Sequence, residues 1–157
     1  MKQIAWFFKT YFTFTLLFVV QKPLFMLLTP TPAGQNIDNL FSSAFEVMWH
    51  GLPLDLSLAG YFTIIPALLI IRPVLNTYFL IAAVLMSFCF VLNIILYPYW
   101  SFPLDTTPFF YFFTSPSDAL ASASVWTDFL GVLAMVACTL IIWFALKMYG
   151  QKKRRYS

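Results

Sequence analysis

Charge is what this chain has least of. Of its 157 residues 10% are charged: nine Lys and Arg against six Asp and Glu, with a single histidine. Ordinary globular domains carry roughly 25% charged residues, so this one cannot cover itself with a wetted polar surface. The lone histidine argues against a metal centre. Glu46 and His50 are four apart and share a helical face, and Asp55 is near. Catalytic zinc, however, draws on several protein ligands, histidine foremost. No cofactor is expected in this chain. Cysteine is equally scarce: Cys89 and Cys138 both sit deep in apolar runs and read as packing residues, not as a disulfide framework. No small-residue cleavage site follows the first apolar run, which Lys9 interrupts, so a simple secretory signal is excluded.

What is present is apolar: 61% hydrophobic residues and a mean hydropathy of +0.82. The few charges are sorted by segment. All six acids (Asp38, Glu46, Asp55, Asp105, Asp118, Asp128) lie within about residues 29–55 and 98–128. Eight of the nine basic residues lie elsewhere, at Lys2, Lys9, Arg72, Lys147 and the run Lys152 to Arg155. Cationic loops stay on the cytoplasmic side during insertion. The pattern therefore predicts a multi-pass membrane protein with both termini cytoplasmic. A nucleic-acid partner is not expected, because the basic residues hug membrane ends; anionic lipid head groups are the better counter-ions.

The fold class predicted is an all-α membrane protein, a four-span helical bundle. Spans are placed at about 10–28, 54–71, 74–97 and 125–146, with outer interfacial or re-entrant segments at 36–50 and 101–124. Together they form a transmembrane domain over 1–151, followed by a basic cytoplasmic tail, 152–157. Pro66 should kink the second span unless neighbours satisfy the carbonyl it frees. Lys22 is the one basic residue on the acidic side. It lies thirteen residues from Lys9, about 20 Å of helix, and so must sit in the outer part of the bilayer. There it can snorkel outward or find a carboxylate.

Three outer stretches could carry chemistry. The first is Trp49-His50-Gly51-Leu52 with Asp55, Ser57 and Gly60-Tyr61. Asp55 reads in two ways: as the cap opening the second span, or, with Glu46 as the other acid available, as the carboxylate that pairs with Lys22 and ties the first span to the second. The second stretch is Tyr97-Pro98-Tyr99-Trp100 with Phe102-Pro103-Leu104-Asp105-Thr106-Thr107-Pro108. It reads as an aromatic girdle, or as a lipid grip in which Asp105 bonds a glycerol or an amine. The third is Phe110-Tyr111 with Ser115-Pro116 and Ala119-Leu120-Ala121-Ser122, whose small residues permit close helix approach.

In order and spacing over about residues 40–124, these stretches resemble the N-terminal membrane domain of the lipoteichoic acid synthase family, the sulfatase or phosphoglycerol transferase family proteins. The resemblance implies a five-span domain that precedes an extracytoplasmic catalytic domain. There a divalent metal and a threonine nucleophile transfer a lipid head group. Neither that nucleophile nor the metal ligands have counterparts here, and no fifth span follows. The chain is thus expected to be a truncated reading frame, a fragment or a stand-alone remnant of that membrane domain, with no transferase chemistry of its own.

On this reading the protein anchors a phosphoglycerol- or phosphoethanolamine-type transferase and presents membrane phospholipid to it. The expected partners are that lipid and an extracytoplasmic catalytic domain. His50, Asp55, Tyr61, Trp100 and Asp105 are the residues expected to contact lipid. The alternatives are a small transporter or channel, disfavoured because the span centres hold no ionisable residue, and a structural subunit of a membrane assembly.

Overall fold

The computed structural model describes residues 2–29, 40–68, 72–100, 110, 113–114 and 125–150. Four helices fill nearly all of these: α1 (Lys2–Leu28), α2 (Leu40–Leu68), α3 (Arg72–Trp100) and α4 (Val125–Gly150). Each contains a stretch long and apolar enough to cross a bilayer. This is the architecture of a multi-pass membrane protein. The shortest, α4, has 26 residues, or about 39 Å of helix against a hydrocarbon core of about 30 Å.

Side-chain contacts fix an alternating up-and-down arrangement. Lys22, near the end of α1, meets Asp55 of α2, and Phe14 meets Phe62 further along α2, so these helices run antiparallel. Phe14 also meets Phe79, and Phe25 meets Tyr97, so α1 and α3 run the same way. Ile95, late in α3, packs on Gly131, early in α4. The closest associations are α1 with α2 and α3 with α4; α4 also leans on α1, whereas α2 and α3 scarcely touch. One end of the bundle therefore carries Lys22, and the opposite end carries Lys147.

The core is built around Phe14, Phe79 and Leu146, with Ala59, Ala82 and Ala83 letting the backbones approach. Between helices in lipid there is little hydrophobic drive, so this close packing supplies the attraction. Buried hydroxyls are satisfied within their own helices. Thr10 donates to the Trp6 carbonyl (3.0 Å), Thr63 to Ala59 (2.7 Å) and Ser87 to Ala83 (2.8 Å). Without such bonds each would lie in hydrocarbon unpaired, at a cost of several kcal/mol.

Pro23, Pro53, Pro66 and Pro98 lie inside helices. Each lacks an N–H and leaves the carbonyl four residues earlier without its usual donor. For Pro66 that carbonyl belongs to Phe62, and the Tyr78 hydroxyl of α3 donates to it at 2.8 Å. A neighbouring helix thus repairs the gap, and α2 continues to Leu68.

Two expectations change. The interfacial segment 36–50 and the span 54–71 are not separate elements, because Leu40 to Leu68 is one helix running through Pro53. Gly51 and Pro53 look like a break, but a proline removes only one helical bond, and α1 packs along this stretch through Lys22. Asp55 is therefore no cap: it lies fifteen residues into α2, close to its middle. Asn36, Asp38, Asp105, nearly all of the segment 101–124 and the tail 152–157 lie outside the described residues.

Tyr78→Phe should lower stability by about 1 kcal/mol in detergent unfolding, since it strands the Phe62 carbonyl. Pro66→Ala restores that carbonyl's own helical donor, so in that background the tyrosine should matter little. An equal loss in both backgrounds would rule out the repair.

Candidate functional site

The charged centre of the molecule is a single ion pair. The Lys22 ammonium of α1 lies 2.5 Å from Oδ2 of Asp55 on α2. The Asp55 side chain is 7% exposed and that of Lys22 is 23% exposed, so the aspartate is the more sealed partner and the lysine the more accessible one. Glu46, the other acid available to Lys22, is exposed and stands outside the pair.

Glycine makes the pairing possible. A Cβ on Gly51 would overlap the Lys22 ammonium and come within 2.8 Å of its Cε. The lysine stem thus lies flat across α2 at Gly51 and reaches Asp55 one turn further on. At the very next residue the Tyr11 hydroxyl of α1 donates to the Leu56 carbonyl (3.1 Å), and its ring lies 3.9 Å from where a Gly60 Cβ would stand. Gly51, Asp55 and Gly60 therefore share one role, seating α1.

The rest of the same stretch faces away. His50, Leu54, Ser57 and Tyr61 follow one another at spacings of four, three and four, which puts them on one helical face, and all four are exposed. The His50 ring turns back on its own helix, its Nδ1 donating to the Glu46 carbonyl at 2.9 Å. That hydrogen bond leaves Nε2 as an outward acceptor. Phe45 and Trp49, also exposed, stack with centroids 6.4 Å apart. The motif read from sequence as one cluster thus divides into a packing half and an outward half. His50 and Tyr61 belong to the outward half, and Asp55 to the other. Trp100 is the last residue of α3, and Asp105 lies outside the described residues.

Chemically the site is spare. Among the described residues no group of three or more His, Cys, Asp or Glu can hold a metal ion. One further donor stands out: Nε2 of Gln21, next to Lys22 in sequence, is buried without a hydrogen-bond partner among the described residues. The arrangement can hold an ammonium in place and offer its open side to an anion. Comparison with protein-family models, with curated proteins and with solved structures gives no match.

Sequence reasoning missed Gly51 as the platform for Lys22 and Tyr11 as the donor to α2. The signal for Gly51 was its place one helical turn before Asp55. Tyr11 had no comparable signal, because a tyrosine hydroxyl reaching a mid-helix carbonyl leaves no pattern of spacing.

Removing one member of a buried pair strands the other. Lys22→Met or Asp55→Leu alone should therefore each cost about 2–3 kcal/mol; the partial exposure of Lys22 keeps this below the figure for a fully sealed pair. The double variant Lys22→Met/Asp55→Leu should lie within about 1 kcal/mol of wild type. Additive losses in detergent unfolding would show that the two side chains do not act as a pair.

Proposed function

We propose that the chain is the membrane anchor and lipid-presenting domain of a phosphoglycerol- or phosphoethanolamine-type head-group transferase resembling lipoteichoic acid synthases, held in the bacterial inner membrane with both termini cytoplasmic. On this reading the catalytic chemistry belongs to an extracytoplasmic partner domain, and the divalent metal to that domain. The Lys22 end of the bundle then faces outward.

The observation that carries the reading is the split of the 49–61 stretch of α2. Its buried half fixes α1, while its outward half lines His50, Ser57 and Tyr61 along an exposed face that no helix covers among the described residues. A helix needed only for anchorage gains nothing from polar groups on its outward face. A helix that hands lipid head groups to a neighbour uses them as hydrogen-bonding stations. The sorting of acids and bases in the sequence supports the orientation.

Two measurements test this. Site-directed labelling of single cysteines at positions 38 and 153 in intact cells should find the first outside and the second inside; the same compartment for both would overturn the orientation. A photo-crosslinking residue at position 57 or 61 should capture phospholipid in membranes, more than the same probe at Phe144, an exposed position on α4. Equal capture at all three positions would show that α2 is merely one more lipid-facing helix.

A further inference from the structure

Lys22 is the only Lys or Arg that helix direction places at its end of the bundle among the described residues: Lys2, Lys9, Arg72 and Lys147 fall toward the other. An ammonium has three N–H donors, and a single carboxylate oxygen of Asp55 takes one of them. The Asp55 side chain, the more sealed of the two, holds the lysine, whose own side chain keeps 23% of its surface exposed. Gly51 gives that ammonium its seat on α2, where any side chain would collide with it. Beside it in the sequence is the buried, unpartnered amide donor of Gln21.

Depth agrees with this arrangement. If Lys9 and Lys22 are accommodated symmetrically, each lies about 10 Å from the midplane, about 5 Å inside the hydrocarbon edge. Local thinning of the bilayer around a charge closes a gap of that size. An ammonium there, partnered on one side only, attracts an anionic oxygen on the other.

We propose that the Lys22 ammonium, held on Gly51 by Asp55, is a phosphate-recognition point: its open donors receive the oxygens of a phosphodiester or phosphate monoester brought to the Lys22 end of the bundle. Asp55 and Gly51 are positioning residues, and Lys22 is the contact. The inference rests on the lipid-presenting reading, to which it adds the chemical group recognised and the residue that recognises it.

The test uses the full chain in nanodiscs of neutral lipid, with binding read by native mass spectrometry. Phosphatidylglycerol is titrated against diacylglycerol, which shares the acyl chains and lacks the phosphate. Wild type should prefer phosphatidylglycerol by about tenfold, the worth of one charge-assisted hydrogen bond. Lys22→Met/Asp55→Leu should lose that preference. Gly51→Ala, which keeps both charges and moves the ammonium off its seat, should reduce it severalfold; it also serves should the double variant not fold.

Wild-type preference that survives in the folded variants would overturn the phosphate point and leave the lipid-presenting reading standing. Equal wild-type binding of the two lipids would overturn both. Inorganic phosphate is added as a competitor at millimolar levels. Displacement of phosphatidylglycerol identifies a soluble phosphate as able to fill the same point. No displacement assigns the point to lipid.

Discussion

A lysine and an aspartate buried between two helices set the terms for everything around them. Neither can remain charged in hydrocarbon alone, and together they are stable only if the helices hold them in register. The rest of the α1–α2 interface satisfies that demand. Gly51 clears the path of the lysine stem, and Phe14 and Phe18 both meet Phe62 with ring centroids 5.6 Å apart. Tyr11 adds a hydrogen bond to the α2 backbone further along. Attraction from packing alone fixes an interface loosely, because a helix can slide or rotate with little loss. A buried ion pair cannot be slid by one residue without exposing two charges, so it fixes register where packing only favours contact.

The same α2 is held a second time, near its other end, by the Tyr78 hydroxyl on the Phe62 carbonyl. The two fastenings differ in kind. Lys22–Asp55 joins side chains, and a helix without either residue would pack as well or better. Tyr78 repairs a fault that Pro66 introduces into the backbone, and matters only because the proline is there. Between them they hold α2 against α1 on one side and, at a single place, against α3. Among the described residues its remaining face stays open, and His50, Ser57 and Tyr61 stand outward on it.

Much of this was legible in the sequence. Four apolar stretches of spanning length announced four helices, and Lys22, alone among acids, announced a need for a carboxylate. Which acid would answer was not legible: Glu46 and Asp55 lie nine residues apart, and the choice turns on Gly51, whose place one turn before Asp55 gains its meaning only when Lys22 lies across it. The boundary of α2 was misread for a related reason. Gly51 and Pro53 are local breakers, and local propensity argues for a new element at Leu54. Tertiary contact with α1 across the same turns outweighs that local preference, and in lipid a backbone has no water to turn to, so continuing the helix is the only way to keep its groups bonded. Pro66 was easier to read, since the carbonyl four residues earlier is always the one set free; what remained hidden was that Tyr78, twelve residues further on, lies within reach.

A continuous α2 changes what the 49–61 stretch can do. Were it a loop followed by a helix cap, its polar residues would be satisfied by the turn itself and would carry no further meaning. On a helix each backbone group is already occupied, so the side chains of His50, Ser57 and Tyr61 are surplus to local structure. Their spacing sorts them onto one face and sorts Gly51 and Asp55 onto the face against α1. A polar row along an uncovered helix in hydrocarbon is unfavourable unless something polar meets it. The ion pair on the opposite face keeps that row from turning inward, because rotating α2 to bury His50 and Tyr61 would draw Asp55 away from Lys22. The residues that fix α1 are thus also the ones that hold the outward row at the membrane.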